Sequence, residues 1–241
     1  MSGPNEGDAT TDADVDVDVD GDARIDDARI DDGSDGAEPN EYDDVPARGA
    51  AVGFAVFDTA LGVCGIAWGP GGVTGVQLPE GSADEVREQL TTDQPGAPEA
   101  EPTDAVRSAI ERIQALLSGE SHDDLADITL DLADLASFLQ RTYAITRTIT
   151  PGHTLTYGQI AERLGSPGLA RAVGRAMGAN PCPIIVPCHR VLGADGSIGG
   201  FSAHGGATTK RRMLLVEGVA EHEGPALFGA DELYGHGTAD N

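Results

Sequence analysis

The sequence predicts a two-domain α/β protein: a small N-terminal α/β domain with an antiparallel sheet, then a mainly helical C-terminal domain. Three observations support this. Residues 50–78 alternate β-forming residues with glycine-rich turns. Residues 103–118 carry apolar side chains at helical spacing. Beyond residue 136, three short helical segments follow one another, and the last two form a helix-turn-helix. The 241 residues are enough for two small domains with real cores.

The first domain is predicted to span 47–135 and to begin with a three-stranded meander. Its strands are expected in the stretches AVGFAVF, VCGIAW and GVTGVQL, which are separated by turn-like links. Cys64, inside the second stretch, is expected to be core packing. A helix over 103–118 should follow and end before Gly119, and residues 127–132 could add an edge strand.

The second domain is predicted to span 136–219. Ser137 with Gln140 forms a capping-box pattern that would open its first helix. Thr156 with Gln159 forms the same pattern before the second helix. Ser166-Pro167 then supplies an N-cap residue and a first-turn proline for the third helix, LARAVGRAMGA.

Arg171 and Arg175 lie one turn apart on the third helix, off its apolar face, and Gly174 and Gly178 are also one turn apart. Glycine costs about 1 kcal/mol in a helix interior, so its presence needs a reason. One reason is tight packing against another helix of the same protein. The other is close approach of a nucleic-acid backbone, which the two arginines favour.

Charge is distributed very unevenly. The chain carries 41 acidic and 15 basic residues, a net charge of −26. Residues 138–217 carry 3 acids and 9 bases, so this segment is a basic island of net +6 in an acidic protein. Because the acidic excess continues into the folded region 48–137, we interpret the protein as halophilic, with a charged surface suited to concentrated salt.

The two ends of the chain are predicted to be acidic tails, residues 1–46 and 220–241. The first tail has too few large apolar groups to offset the entropy of ordering, so we expect it to be disordered. Residues Asp16 to Gly21 match the start of a calcium-binding loop. No amphipathic helices flank this match, and calcium binding is the weaker interpretation.

Several classes of protein are disfavoured. No apolar run is long enough for a membrane span, and the acidic N-terminus lacks a signal sequence, so we expect a cytoplasmic location and no membrane partner. Three cysteines without zinc-finger spacing argue against a disulfide framework and against a metal site. No glycine-rich strand-turn-helix site is visible, and no cofactor is expected.

Pro187-Cys188-His189-Arg190 is the strongest chemical motif. It follows Ile184-Ile185-Val186, an apolar run that predicts a buried strand. A thiol is a strong nucleophile only as a thiolate, and neighbouring cationic or basic groups lower its pKa. The tetrapeptide therefore fits a reactive cysteine, and it fits a buried structural cysteine beside a surface His-Arg pair equally well.

From about Phe138 to Gly218 the chain strongly resembles the O6-alkylguanine-DNA alkyltransferases. The matching stretches, in the order of that family, are TYGQIAERLG, ARAVGRAMGANP, CPIIVPCHRV, GSIGGFS and KRRMLLVEG. The resemblance implies a winged helix-turn-helix domain and, as partner, double-stranded DNA that contains O6-alkylguanine. It also implies that a monomer extrudes the damaged base from the duplex.

The resemblance places the DNA contacts on the third helix, at Arg171, Gly174, Arg175 and Gly178. Arg171 would fill the space that the extruded base leaves. Tyr157 would help rotate the nucleotide and donate a proton to the departing guanine. The base pocket would be formed by Pro181, Val191, Phe201 and Ser202.

The resemblance also implies the chemistry. Cys188 would attack the alkyl carbon, with His189 as its base through a water and Glu217 orienting the imidazole. Asn180 would hold the turn that carries Cys188. Because a thioether is not readily hydrolysed, each molecule would act once, on O6-methylguanine and with O4-methylthymine as a second candidate substrate.

Two alternatives remain. A non-catalytic relative could bind alkylated bases and flag them for another repair pathway, but the presence of Cys188 disfavours it. A cysteine hydrolase could use Cys188 with His189. Neighbours in sequence rarely adopt nucleophile–base geometry, and the helix-turn-helix would then be unexplained.

Overall fold

The structure, a computed structural model, describes residues 50–79, 81–198 and 206–219. All of these lie in one compact unit, Asn40–Asn241. The predicted domain boundary at residue 136 stays a prediction.

The acidic segments 1–46 and 220–241 lie outside the described residues, as does the calcium-loop match between Asp16 and Gly21. Within the described ranges, no helix is long and apolar enough to cross a membrane.

The predicted meander is confirmed as a three-stranded antiparallel sheet in the order β1-β2-β3. Its strands are β1 (Gly53–Thr59), β2 (Gly62–Gly69) and β3 (Gly72–Gln77). Gly62 and Gly72 begin β2 and β3 with φ of +125° and +128°, a region that side chains disfavour, so glycine is needed at both turns. Cys64 is fully buried in the main core, as predicted.

Two helices pack with this sheet. The predicted helix is confirmed as α2 (Asp104–Leu117), with the Thr103 hydroxyl accepting from the Val106 amide at its start. The structure adds a helix that the sequence analysis missed, α1 (Ala83–Asp93), which opens with a Ser82–Glu85 capping box. Only Val86 and Leu90 of α1 are buried, so its apolar stripe is too thin to stand out as a periodic pattern.

The prediction of an edge strand over residues 127–132 is wrong. The chain makes one isolated bridge to β3, where the Val73 amide donates to the Thr129 carbonyl at 3.0 Å and the Asp131 amide donates to the Val73 carbonyl at 2.9 Å. The pairing extends no further among the described residues, so this segment covers the sheet edge without becoming a regular strand.

The second half is mainly helical, as predicted. It contains α3 (Ser137–Thr146), α4 (Tyr157–Arg163), α5 (Ala170–Gly178) and α6 (Gly206–Val216), with a short parallel pair of strands, β4 (Leu155–Thr156) and β5 (Val191–Leu192). A single 3-10 turn, Pro167–Leu169, joins α4 to α5, and α4 packs against both α3 and α5.

The capping predictions have mixed outcomes. The Thr156–Gln159 capping box is confirmed, with the Gln159 amide donating to the Thr156 hydroxyl at 3.1 Å and the Thr156 amide donating to the Gln159 side chain at 2.8 Å. The Ser137–Gln140 box is wrong: Ser137 is already inside α3, and the Gln140 amide group donates instead to the Leu135 carbonyl at 2.7 Å.

The predicted start of the third helix also needs correction. The Ser166 side chain makes no capping hydrogen bond, and Pro167 opens the 3-10 turn rather than the helix itself. The proline keeps its predicted first-turn position, because its fixed φ suits either kind of helix.

Backbone and side-chain contacts tie the sheet to the helical half. The Val76 amide of β3 donates to the Pro181 carbonyl at 2.9 Å. The Arg147 guanidinium, just past α3, donates to the carbonyls of Ala126 and Ile128 at 2.7 and 2.8 Å. These contacts anchor two points of the helical half, Arg147 and Pro181, to the first half of the protein.

Candidate active site

Cys188 lies on a single 3-10 turn, Cys188–Arg190, directly after a buried turn of chain. Residues 184–186 are completely buried, but the strand predicted there is wrong. The chain reverses instead, the Val186 amide donates to the Cys182 carbonyl at 2.8 Å, and Ile184 takes a φ of +73°. A β-branched residue is strained in this region, so surrounding contacts must hold the turn in place.

The Asn180 side chain supplies such contacts. Its Nδ2 donates to the Val186 carbonyl at 2.8 Å, and its Oδ1 accepts from the Cys182 amide at 3.0 Å. One amide group thus joins the end of α5 to both ends of the turn. The family resemblance implied that Asn180 holds the turn that carries Cys188, and these two hydrogen bonds fit that role.

The Cys188 thiol is 4% exposed, and burial raises its pKa above the ordinary value. A hydrogen bond with Asn180 and the charge of Lys210 oppose this shift without reversing it. The sequence motif fitted a thiol activated by neighbouring cations and a buried structural thiol equally well, and in the structure removal from water has the larger effect on the pKa. The resting group is therefore a thiol, which needs a base before it can act as a nucleophile.

His189, Arg190 and Glu217 form a buried cluster beside the cysteine. The His189 Nε2 lies 2.9 Å from Glu217 Oε1. The Arg190 Nε donates to Glu217 Oε2 at 2.9 Å, and its Nη2 donates to Oε1 at 2.8 Å. His189 and Arg190 are 0% exposed and Glu217 is 5% exposed, so the three share one water-poor environment.

The protonation of this cluster suits a base. Burial lowers the pKa of His189, and the attraction of Glu217 does not outweigh that effect. Burial alone would raise the pKa of Glu217, but hydrogen bonds with His189 and Arg190, together with the positive charge of Arg190, lower it to about 2. At neutral pH the cluster therefore holds a neutral imidazole beside an ionised carboxylate.

The other ring nitrogen of His189, Nδ1, is buried and has no hydrogen-bond partner among the described residues. A buried polar atom without a partner is costly and calls for an explanation. With the Nε2 hydrogen directed at Glu217, Nδ1 carries the free lone pair, so it can accept a proton.

Tyr157 begins α4 and is half-buried between α5 and α6. A Cβ placed at Gly174 would lie 4.0 Å from its Cδ1, and Lys210 Nζ lies 5.9 Å from its ring centroid. Burial, with a smaller effect from a charged Cys188, raises the pKa of the phenol. Tyr157 therefore keeps its proton and lies between the face of α5 and the cysteine.

The α5 surface has the features expected of a contact face. Arg171 and Arg175 are exposed and form no ion pair with any described residue. A Cβ at Gly178 would meet no atom within 4 Å, and one at Gly174 would meet only Tyr157. Tight packing against the described residues therefore does not explain these two glycines.

The predicted base pocket is only partly described. Phe201 and Ser202 lie outside the described residues, whereas Pro181 and Val191 are buried on either side of the Cys188 turn.

Sequence reasoning did not assign a role to two buried cations, Arg190 and Lys210. Lys210 is 1% exposed, its Nζ donates to the Val191 carbonyl at 2.5 Å, and burial lowers its pKa. Lys210 is the only lysine in the chain, and this was the one feature of the sequence that could have drawn attention to it. Arg190 was visible in the Cys-His-Arg motif, but a surface position is the usual expectation for arginine.

Glu217→Gln is expected to lower the free energy of unfolding near neutral pH by roughly 3 kcal/mol, because it leaves Arg190 buried without its anion. The carboxylate contributes fully above pH 4.5, and its contribution is lost as the pH falls towards 2, since the folded form binds the proton later than the unfolded chain. Urea unfolding of the wild-type protein and of Glu217→Gln should therefore show a difference in the free energy of unfolding that shrinks as the pH falls from 4.5 towards 2. The other carboxylates affect both proteins alike, so a difference that stays constant would contradict this account.

Comparisons with known proteins agree with the geometry. Residues 137–219 match the profile of the family described as 6-O-methylguanine DNA methyltransferase, DNA binding domain. The methylated-DNA–protein-cysteine methyltransferase of Mycobacterium tuberculosis H37Rv is 36% identical over 166 residues, which are 69% of this chain and 92% of the relative. The protein of that name from Methanothermobacter thermautotrophicus is 34% identical over 157 residues, 65% of this chain and 80% of the relative.

Solved structures give the same result. The crystal structure of Mycobacterium tuberculosis OGT in complex with DNA aligns with a TM-score of 0.56 and 34% identity, covering 69% of this chain and 92% of that chain. The O6-methylguanine-DNA methyltransferase from the hyperthermophilic archaeon Pyrococcus kodakaraensis aligns with a TM-score of 0.54 and 29% identity, covering 69% and 99%.

Proposed function

The chain belongs to the methylated-DNA–protein-cysteine methyltransferase family, and from that premise we propose that it repairs O6-methylguanine in double-stranded DNA by moving the methyl group to Cys188. The observation that carries the proposal is a buried thiol at Cys188 followed in the chain by a buried imidazole whose Nδ1 has no partner among the described residues, in a half of the protein whose helix α5 carries two exposed arginines and two glycines. Incubation with duplex DNA containing O6-methylguanine, followed by peptide mass analysis, should find the added methyl group on Cys188.

The proposed step is an in-line displacement by sulfur. The thiol proton passes to His189 Nδ1 through a water, which turns a weak nucleophile into a thiolate. The sulfur then forms a bond to the methyl carbon as the bond from that carbon to guanine O6 breaks. The departing guanine carries the electron pair, and the Tyr157 hydroxyl can supply it with a proton.

The product is a methyl thioether at Cys188 and an unmodified guanine. A methyl thioether is not hydrolysed under ordinary conditions, because a thiolate is a poor leaving group from an alkyl carbon, so each protein molecule acts once. The reaction draws its methyl group from the DNA itself, and we propose that it needs no cofactor.

We propose that α4 and α5 act as the helix-turn-helix and that α5 enters the groove of the duplex. Arg171 and Arg175 would contact the DNA, and the absent side chains of Gly174 and Gly178 would let the backbones approach closely. The opposite half of the protein is unsuited to DNA. Its described arginines all pair with acids, for example Arg112 with Asp123.

Base extrusion is the step that brings the damaged guanine to a buried sulfur. Arg171 is exposed at the first turn of α5, which supports the proposal that its side chain fills the vacated space. Tyr157 lies behind α5, between that space and Cys188. We propose that these two residues hold the rotated nucleotide, that the protein acts as a monomer, and that it works in the cytoplasm.

Arg171→Ala is expected to slow repair of methylated duplex DNA at least about tenfold, the equivalent of losing one charge-assisted contact. Reaction with free O6-alkylguanine base should change little, since a free base need not leave a stack. The measurement is the rate of Cys188 alkylation with each substrate, and Arg107→Ala in the acidic half is the matched control. Equal losses on duplex and free base would rule out the base-displacement role.

The acidic surface leads us to propose a halophilic protein whose DNA binding depends weakly on salt. Binding by phosphate contacts weakens in proportion to the number of phosphates neutralised, and α5 offers few arginines for this. We therefore expect a shallow slope when the logarithm of the DNA-binding constant is plotted against that of the salt concentration. A steep slope, as for a protein with six or more phosphate contacts, would refute the idea.

A further inference from the structure

Accepting the proposed function of Cys188, we propose that Arg190 is a positioning residue that keeps the His189–Glu217 pair free of an extra proton. By doing so it would reserve His189 Nδ1 as the acceptor for the thiol proton. Its action would be indirect, through the carboxylate of Glu217, and it would contact neither the sulfur nor the damaged base.

The hydrogen bonds define how Arg190 could do this. Its guanidinium grips both oxygens of Glu217, at 2.9 Å from Oε2 and 2.8 Å from Oε1, a bidentate arrangement that only arginine provides. The oxygen Oε1 also lies 2.9 Å from His189 Nε2. One carboxylate oxygen thus serves both partners, and its negative charge is already balanced by the arginine.

A third contact prevents the guanidinium from moving away. Arg190 Nη1 donates to the Ile149 carbonyl at 2.5 Å, in the segment that follows α3. The residue is 0% exposed, so no water competes for its donors. The guanidinium is held from both sides, and Glu217 meets a fixed charge rather than a mobile one.

Without the arginine the cluster would hold an uncompensated negative charge in a dry site. Such a charge is costly and is removed by taking up a proton. The proton would belong to the coupled pair, whether it resides on His189 or on Glu217. A protonated pair has no strong acceptor at Nδ1, and the thiol could not be deprotonated.

Other charged groups approach this site from different directions. Lys210 comes from α6, with its ammonium bonded to the Val191 carbonyl and its charge acting on both Cys188 and His189. Tyr157, from α4, faces Cys188. Among the described residues, only His189 and Arg190 form hydrogen bonds with the Glu217 carboxylate. Removing Arg190 therefore acts specifically on the His189–Glu217 pair.

The test is the pH dependence of Cys188 alkylation by a free O6-alkylguanine base, which avoids any effect on DNA binding. In wild-type protein the rate should hold into mildly acidic pH. In Arg190→Met the acidic midpoint should move up by one pH unit or more, so that the rate near pH 6 falls about tenfold while the alkaline plateau remains. Arg190→Lys, which keeps the charge but loses the bidentate grip, should lie between the two, and Arg107→Lys should match wild type.

A folded Arg190→Met protein that is slower by the same factor at every pH, with an unmoved midpoint, would overturn the proposal and indicate a purely structural role. If that variant does not fold, Arg190→Lys carries the same test. A third readout needs no variant: nitrogen NMR of wild-type His189 should show a neutral ring near pH 6 with its hydrogen on Nε2, and a charged ring would overturn the proposal. Wild-type protein that is never alkylated would contradict the proposed function instead, while the NMR result would still decide the state of the pair.

Discussion

Cys188→Ala is expected to abolish transfer of the methyl group to the protein while leaving binding to methylated duplex DNA intact. The sulfur is the protein atom that receives the methyl group in the proposed reaction, whereas the proposed DNA contacts lie on α5. Alanine removes one buried atom from a site that Asn180 continues to hold, so the fold should persist. Transfer is measured by label on the protein, and binding by gel shift with the same duplex.

Cys182→Ala is the matched control, because Cys182 is also buried and lies six residues earlier, in the turn that precedes Cys188. It should keep full transfer. Label that still reaches Cys188→Ala protein, or that disappears in Cys182→Ala, would show that the wrong thiol has been assigned.

Replacing Gly178 with a larger residue is expected to slow repair of duplex DNA without lowering the stability of the protein. A Cβ at this position meets open space in the described structure, and glycine is a poor helix former, so Gly178→Ala and Gly178→Leu should fold at least as stably as wild type. If α5 lies against DNA, the same side chains must hold the two backbones apart. Duplex repair should therefore fall with side-chain size, by about tenfold or more for leucine.

The free O6-alkylguanine base provides the control, since it reaches Cys188 without contact between α5 and a duplex. Both Gly178 variants should react with it at the wild-type rate. Leucine at position 178 with undiminished duplex repair would move the DNA interface away from this face. A thermal melt of each variant separates this result from simple misfolding.

Burial sets the resting protonation state of both Cys188 and His189. Burial raises the pKa of the Cys188 thiol, so the sulfur rests as a thiol rather than as the more nucleophilic thiolate. Burial also keeps His189 neutral, which makes it available as a base. If the protein acts only once, as we propose, this arrangement is an advantage, because the thiolate forms only when His189 takes up the thiol proton.

Local patterns in the sequence predicted much of the fold. The meander could be predicted because Gly62 and Gly72 mark its turns and β-forming residues lie between them. The start of α4 could be predicted because Thr156 and Gln159 satisfy each other without help from the rest of the chain. Such features depend on neighbours in sequence, which a single chain displays directly.

Other features depend on side-chain contacts that the sequence pattern does not display. The run 184–186 is apolar enough for a strand, but Asn180 closes it into a turn. Ser137 has the right partner for a capping box, but Gln140 bonds instead to the chain before α3. The role of Glu217 came from family resemblance, and no spacing rule would have placed Arg190 on the same carboxylate.

The central claim is that Cys188 is a single-use acceptor for a methyl group taken from DNA. The most direct measurement follows label from duplex DNA carrying radiolabelled O6-methylguanine, supplied in excess over protein, until transfer stops. We predict that label accumulates on Cys188 and reaches one equivalent per protein molecule, with unmodified guanine left in the duplex. Label that stays on the DNA, or release of more than one equivalent per molecule, would contradict the account.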